Sequence, residues 1–190
     1  MKTTNYKNYT GVLFAFGHGE GDTGCVYKDY TEAKMIRKLK PYLEKWCQAH
    51  HLKAKFYPGN LYYHAKDILA YKNYIVVELH LDAAQKPGAG GHVIIHRRFQ
   101  ADAIDLNLLD CIDQHFGLVT RTSRGLSKRQ DLLNLNMAAS HGINYRLLEL
   151  FFLANNQDRD YYLNHLDQVA RDIVAAIMGQ HLEEESCTCK

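Results

Sequence analysis

Short apolar runs alternate along the chain with longer stretches in which apolar residues recur every three or four positions. Unbroken apolar runs are typical of buried β-strands, whereas a repeat near 3.6 residues is typical of amphipathic helices. Because strands and helices alternate, the pattern predicts a single-domain α/β fold with a twisted, mostly parallel β-sheet flanked by helices. The predicted strands are Gly11–Gly17, Leu52–Tyr57, Tyr74–Leu81, His92–His96 and Tyr145–Phe152.

The helical repeat predicts helices at Thr31–His51, Leu61–Lys72, Ala101–Phe116 and Tyr161–Met178. Thr31 is a candidate N-cap for the first of them, and Pro41 predicts either a kink or a junction between two helices. Between the elements lie a glycine-rich loop at Gly17–Gly24, a glycine turn at Gln85–Gly91 and a basic, irregular segment at Thr120–Arg129.

The chain has 190 residues, of which 46% are hydrophobic, and this suffices for one domain but not for two of ordinary size. We assign residues 1–179 to this domain and expect the polar, acidic residues 180–190 to form a tail or the start of a linker. The formal net charge is +2, from 23 basic and 21 acidic residues. This balance argues against a nucleic-acid-binding protein, since such proteins usually carry a strongly basic face.

The cysteines are scattered and odd in number, which favours a reducing compartment over a disulfide framework; they are Cys25, Cys47, Cys111, Cys187 and Cys189. A tail with two cysteines, such as Cys187 and Cys189, could bind a metal but is more often inert. No apolar stretch reaches 18 residues, so we expect no insertion into a membrane. The polar N-terminus predicts no signal peptide, and we therefore expect synthesis in the cytoplasm and action elsewhere only after release.

Ionisable residues occur at the ends of the predicted strands, where ligands bind in open α/β sheets. His18 follows the first strand, His80 lies near the end of the third, and Glu149 lies near the end of the last. Glu32 begins the helix after the glycine-rich loop. Two histidines and one carboxylate are the ligand set of a catalytic zinc site, and the remaining carboxylate would serve as a free acid and base.

Each of these residues also has a simpler explanation. His18 could be an exposed turn residue, and Glu32 suits a helix N-terminus through the helix dipole alone. A histidine in an apolar strand, such as His80, is more often a core residue than a ligand. Glu149 is the most suggestive residue, because a buried carboxylate needs a partner or a raised pKa. Glu78, on the same strand face as His80, is a competing carboxylate.

The segment GHGEGDTGC at Gly17–Cys25 is similar to the opening signature of the zinc-dependent N-acetylmuramoyl-L-alanine amidases of bacterial autolysins and phage endolysins. Glu32 follows the histidine of this segment by 14 residues, close to the spacing in that family. Glu78–Ala83 resembles the motif of the family's second histidine, and Leu148–Asn156 resembles the segment with its catalytic glutamate. Arg124–Gly125 corresponds to an Arg-Gly pair before the last strand, so the resemblance covers nearly the whole chain.

The resemblance implies that His18, Glu32 and His80 hold one Zn²⁺ per chain and that Glu149 is the catalytic base. The substrate would be peptidoglycan, cleaved at the amide bond between N-acetylmuramic acid and the L-alanine of the stem peptide. The protein would then be a bacteriolytic autolysin or endolysin, made in the host cytoplasm if it comes from a phage. Enzymes of this type often carry a separate C-terminal cell-wall-binding domain.

Four residues depart from the family pattern. Glu20 stands where a glycine is usual, and Thr23 replaces a proline. Asp82 replaces an asparagine, and Ser127 stands where a lysine often follows the Arg-Gly pair. None of these changes removes a candidate ligand or the candidate base, so they affect the preferred substrate more than the chemistry.

Several alternatives stay open on the sequence alone. Cys25 is a rival metal ligand, although a small buried side chain is the simpler interpretation. His92 and His96 share one strand face and could form a second cluster. The basic residues of Arg124–Arg129 could contact carboxylates of a stem peptide or form ordinary surface charge. At the level of function, the alternatives are a zinc peptidase that cleaves another bond and a non-catalytic cell-wall-binding module.

Overall fold

The computed structural model describes residues 5–83, 88–119 and 124–182. The strands are β1 Gly11–Phe16, β2 Val26–Tyr27, β3 Tyr30–Thr31, β4 Ala54–Phe56, β5 Tyr74–Asp82, β6 His92–His96, β7 Leu126–Arg129 and β8 Asn144–Phe152. The α-helices are α1 Glu32–Ile36, α2 Lys40–Ala49, α3 Ala103–Phe116, α4 Leu133–Ser140, α5 Asn156–Asn164 and α6 Leu166–Met178. Short 3₁₀-helices occur at Tyr6–Asn8, Arg37–Leu39 and Ala65–Tyr71.

Six strands form one sheet in the order β4-β1-β5-β8-β6-β7. Every neighbouring pair in it runs parallel except β6 and β8, which are antiparallel. The prediction of a mostly parallel sheet flanked by helices is therefore confirmed. Strands β2 and β3 form a separate small hairpin between β1 and α1. Because β6 runs against β8, the start of β6 lies at the same edge of the sheet as the ends of β5 and β8.

Both faces of the sheet are covered, and β1 shows how the sequence achieves this. Val12, Phe14 and Phe16 belong to a large core cluster that includes residues of α1, α2, α3 and α6. Leu13 and Ala15 point the other way, into a smaller cluster with residues of α4 and the third 3₁₀-helix. Because successive side chains of a strand alternate between faces, a strand covered on both sides requires an unbroken apolar run.

The helices differ from the sequence prediction mainly at their ends. Pro41 lies in the first turn of α2, where its missing amide proton costs no hydrogen bond, and the predicted helix Thr31–His51 is two helices joined by a 3₁₀ turn. Thr31 does precede α1, but its side chain makes no capping hydrogen bond. The predicted helix at Leu61–Lys72 is a 3₁₀-helix, and the predicted closing helix is divided into α5 and α6 at His165.

Helix α4 and strand β7 have weak sequence signals. The predicted irregular segment at Thr120–Arg129 is wrong in its second half, because Leu126–Arg129 forms the edge strand β7. An edge strand buries little surface, so its sequence carries no apolar run. Helix α4 has almost no separation of apolar and polar faces and was not predicted.

Some predictions concern residues outside the described ranges. They are the first four residues of the irregular segment, the first three residues of the glycine turn at Gln85–Gly91, and the tail with Cys187 and Cys189. Leu182 is buried in the large core cluster, so the chain is still packed on the domain at this residue. The domain boundary at residue 179 stays a prediction. None of the helices in the described ranges is long and apolar enough to cross a membrane.

A buried ion pair connects β8 to the start of α3. Arg146 is 1% exposed, and its Nε donates to Asp105 Oδ1 at 2.9 Å while its Nη2 donates to Asp102 Oδ2 at 3.1 Å. The two aspartates also form the capping box of α3. Removal of the arginine would leave both carboxylates, of which that of Asp105 is buried, without their counter-charge. This costs more free energy of folding than the loss of a solvent-exposed ion pair.

We therefore expect Arg146→Ala to lower the free energy of unfolding by about 3–5 kcal/mol. Urea denaturation followed by circular dichroism measures this change. Arg129→Ala is the matched control, because Arg129 makes a similar pair with Asp131 at the surface and should change stability much less. An equally small decrease in the free energy of unfolding in both variants would contradict this expectation.

Candidate active site

Four titratable side chains meet at the edge of the sheet where β1, β5 and β8 end. His18 lies just beyond β1, His80 belongs to β5, and Glu149 belongs to β8. His80 is the register partner of Glu149, so these two side chains lie side by side on the face of the sheet that carries the smaller cluster. Glu32 is the first residue of α1, and its carboxylate contacts both imidazoles.

Three of these residues form a compact group that could hold a metal ion. Glu32 Oε2 lies 3.1 Å from His18 Nε2, and Glu32 Oε1 lies 2.9 Å from His80 Nδ1. One ligand atom from each residue falls within 4.8 Å of the others. The structure thus brings together the three residues that the sequence proposes as ligands.

Glu32 is buried and fully hydrogen-bonded. Besides the two imidazoles, it accepts the backbone N–H of Leu81 at 3.1 Å and that of Cys25 at 3.2 Å. Burial opposes ionisation of this carboxyl group, but hydrogen bonds from His18 and His80 hold its pKa well below the ordinary value. In return, hydrogen bonding to Glu32 raises the pKa of His18 and, against the effect of burial, that of His80. The group is therefore held together by charge as well as by packing.

Each imidazole has a second carboxylate on its other nitrogen. Asp22 Oδ2 lies 2.8 Å from His18 Nδ1, and Glu78 Oε1 lies 3.1 Å from His80 Nε2. These contacts fix the rings so that His18 Nε2 and His80 Nδ1 face Glu32. Carboxylates in this position are common behind the histidine ligands of metal sites, where they set the tautomer and the ring orientation.

Glu78 is the competing carboxylate of the sequence analysis, and the structure places it behind His80 rather than in the group of three. It is buried, and Tyr145 Oη donates to its Oε2 at 2.5 Å. Asn134 Nδ2 donates to the same carboxylate at 3.0 and 3.2 Å. Burial opposes its ionisation, but the hydrogen bonds from His80, Tyr145 and Asn134 lower its pKa. Glu78 therefore supports the ring of His80.

The loop that carries His18 is held in an uncommon conformation. His18 has φ +61°, in the left-handed region that side chains other than glycine and asparagine rarely adopt. The guanidinium of Arg37 fixes this loop by donating to the carbonyl oxygens of Gly17 at 2.9 Å and His18 at 2.6 Å. The sequence analysis missed Arg37 because an arginine in a helical segment is usually a solvated surface residue. Asp22 was also missed, although its spacing from His18 offered a signal.

Glu149 lies beside the group of three but is bonded differently. Its Oε2 is buried and has no hydrogen-bond partner among the described residues. Burial raises the pKa of Glu149 to about 8, helped by the charges of Glu32 and Asp82 and opposed by the imidazole of His80. A carboxyl group with a pKa near neutrality can both take up and release a proton.

Cys25, the rival ligand, is half-buried in the same loop. Its Sγ donates to the carbonyl oxygen of Leu81 at 3.7 Å, and burial together with the charge of Glu32 raises the pKa of the thiol. Thiols bind metals as thiolates, so a raised pKa disfavours this residue as a ligand. Within the described ranges, the group of three potential ligands does not include it.

His92 and His96 do not form a cluster with each other. His92 lies at the start of β6, beside Ser127, whereas His96 is buried at the other end of the strand and accepts the backbone N–H of Arg98. Two basic residues of the segment Arg124–Arg129 have partners, since Lys128 donates to Gln100 and Arg129 pairs with Asp131.

Solved structures of known proteins share this fold. The catalytic domain of the CD27L endolysin targeting Clostridia difficile aligns with a TM-score of 0.71 and 18% identity, over 90% of this chain and 98% of that one. The N-acetylmuramoyl-L-alanine amidase from Clostridium difficile 630 aligns with a TM-score of 0.73 and 16% identity, over 90% of this chain and 96% of that one. At such identities the likeness shows the fold alone.

Sequence comparison extends the likeness beyond the fold. The chain is 35% identical to the probable autolysin PH of Staphylococcus aureus over 191 residues, and the match covers 89% of this chain but only 38% of that protein. Residues 12–179 match the family model described as N-acetylmuramoyl-L-alanine amidase. The chain therefore belongs to the N-acetylmuramoyl-L-alanine amidase family.

Proposed function

We propose that this domain is a zinc-dependent peptidoglycan hydrolase of an autolysin or endolysin. It cleaves the amide bond between N-acetylmuramic acid and the L-alanine of the stem peptide. The observation that carries the proposal is the group His18, Glu32 and His80 beside Glu149, whose Oε2 has no hydrogen-bond partner among the described residues, in a chain of the amidase family. The chain spans 38% of the length of the autolysin that it matches.

The donor set fits zinc. His18 Nε2, His80 Nδ1 and a carboxylate oxygen of Glu32 would hold one Zn²⁺ per chain, and two imidazoles with one glutamate leave a fourth position for water or substrate. The carboxylates of Asp22 and Glu78, behind the two rings, are the outer contacts that such a site requires. When bound, Zn²⁺ would supply Lewis-acid polarisation of the scissile carbonyl and acidification of water.

Glu149 moves the proton in this proposal. It takes a proton from the attacking water and returns it to the nitrogen of the leaving L-alanine amine, so it acts first as a base and then as an acid. Both steps are feasible near neutral pH because burial brings the pKa of this carboxyl close to that range. The register of β5 and β8, in which Glu149 is the partner of His80, supports this role beside the proposed ligand.

A cell-wall assay tests the proposed reaction. Turbidity of a purified Gram-positive cell-wall suspension is followed with the protein, with a chelator, and after Zn²⁺ is added back, and the released groups are identified. We expect chelator-sensitive clearing that liberates new L-alanine amino termini without new reducing sugar ends. Release of other amino termini would instead indicate a zinc peptidase. Binding to the walls without release of any group would indicate a non-catalytic module.

Glu149→Gln is expected to lower amidase activity by roughly 10²–10⁴-fold and to leave bound zinc at one ion per chain, because this residue transfers a proton and holds no metal. His80→Ala should lose both the zinc and the activity. Activity is measured by the release of L-alanine amino termini, and zinc by elemental analysis. The exposed His141→Ala is the control for removal of an imidazole and should change neither quantity. Near-normal activity of Glu149→Gln would contradict the assignment.

Gly17→Ala tests whether the close approach of the glycine-rich loop to the ring of His80 is needed for binding of Zn²⁺. A Cβ at residue 17 would lie 2.2 Å from His80 Cε1 and 2.3 Å from its Nδ1, so the ring must turn away. We expect the affinity for Zn²⁺, measured by competition with a chromogenic chelator, to fall about 10–100-fold, as for loss of an orienting contact. Gly142→Ala is the control, because its Cβ meets no atom within 4 Å and its positive φ strains only the backbone. Unchanged affinity in Gly17→Ala would show that the ring position does not matter.

A further inference from the structure

A second polar cluster lies beside Glu149, on the side away from His80. In the sheet register Glu149 pairs with His80 of β5 and with His92 of β6, so the three side chains form a row on one face. His92 is 4% exposed. Its Nδ1 lies 2.7 Å from Ser127 Oγ and its Nε2 lies 3.4 Å from Asp82 Oδ2. This cluster of His92, Ser127 and Asp82 has no part in the proposed metal binding or in the proposed proton transfer by Glu149.

The contact with Asp82 favours one tautomer of His92. A neutral imidazole has one protonated nitrogen, and a proton on Nε2 is favoured because this atom faces the carboxylate of Asp82. Nδ1 is then an acceptor, so the hydroxyl of Ser127 donates its only proton to it. The remaining lone pairs of Ser127 Oγ point away from the ring, and the side chain is half-buried rather than enclosed. The oxygen of Ser127 is therefore available to accept a hydrogen bond from a ligand bound beside Glu149.

The position of Ser127 relates this acceptor to the scissile bond. Ser127 lies on β7, separated from β8 by β6 alone, and neighbouring strands are about 4.8 Å apart. Its side chain is therefore on the order of 10 Å from Glu149 across the sheet. An extended peptide advances about 3.3–3.6 Å per residue. Two residues together with a hydrogen bond of about 3 Å therefore span about 10 Å, so an amide within two residues of the bond at Glu149 would reach Ser127.

Building on the proposed function, we propose that Ser127 is a substrate-binding residue that accepts a hydrogen bond from a backbone N–H of the stem peptide. This N–H belongs to one of the two amides that follow L-alanine. His92 and Asp82 are positioning residues, since they direct the serine proton inward and leave the oxygen free to accept.

The test uses the zinc-loaded protein and synthetic N-acetylmuramoyl tripeptide. Two analogues each carry an ester in place of one of the two amides after L-alanine, which removes one N–H donor. We expect Ser127→Ala to raise KM about five- to tenfold with kcat changed less than twofold, as for loss of one hydrogen bond in binding. One of the analogues should raise the KM of the unmodified protein by a similar factor and should not raise that of Ser127→Ala further.

Three further variants separate recognition from folding. Ser127→Thr keeps the hydroxyl and should restore the KM of the unmodified protein. His92→Leu removes the acceptor for the serine proton. It should raise KM as Ser127→Ala does, and the ester analogue should not raise this KM further. Ser140→Ala, in which a hydroxyl is removed at the far end of α4, is the matched control and should leave KM unchanged. Zinc content should be one ion per chain in every variant.

A binding measurement keeps this inference separate from the proposed reaction. Calorimetry of the muramoyl tripeptide with Glu149→Gln, alone and combined with Ser127→Ala, should show affinity lower by the same five- to tenfold factor in the double variant. Equal affinity in the two proteins, or equal sensitivity of Ser127→Ala and the unmodified protein to both esters, would overturn the inference. A fall of kcat by more than a hundredfold at unchanged KM would also overturn it, since Ser127 would then act in the chemistry. Failure of the unmodified protein to cleave the tripeptide would count against the proposed function, while the calorimetry would still decide the role of Ser127.

Discussion

The candidate site depends on one buried carboxylate. Glu32 lies between two imidazoles that come from the ends of the neighbouring strands β1 and β5, and its oxygens approach both of them at hydrogen-bond distance. A buried charge of this kind is stable only with partners, so the loop with His18, the strand with His80 and the start of α1 must meet. The same requirement explains why Arg37 holds the His18 loop in a strained conformation and why Asp22 lies behind the ring. With a metal ion bound, His18, Glu32 and His80 would coordinate the ion instead of hydrogen-bonding to one another.

The sheet explains the rest of the arrangement. Its central strands are mostly apolar on both faces, and three polar residues, His80, Glu149 and His92, lie near the edge where β5 and β8 end and β6 begins. There the register places His80, Glu149 and His92 in a row, with proposed metal binding on one side of the proton-transfer residue and proposed peptide binding on the other. Because β6 runs antiparallel to β8, His92 at its start lies next to Glu149, although the two residues are distant in sequence.

Much of this structure follows from local patterns in the sequence. The apolar runs predict the central strands because a strand covered on both faces requires them. Placing His18, His80 and Glu149 at strand ends was enough to suggest that they meet. What local patterns do not reveal is contact between distant segments. The support of the His18 loop by Arg37, the position of Glu78 behind His80, and the edge strand β7 all depend on tertiary packing. The substrate was predicted from the resemblance to the amidases, because nothing in the geometry of the chain identifies it.

X-ray absorption spectroscopy of the zinc-loaded protein tests the central claim most directly, because it reports the ligand atoms themselves. The account predicts one zinc environment with nitrogen and oxygen neighbours at about 2.0–2.1 Å, including two imidazoles, and no sulfur neighbour. A sulfur neighbour at about 2.3 Å would contradict the account, since Cys25 would then be a ligand in place of one of the three proposed residues.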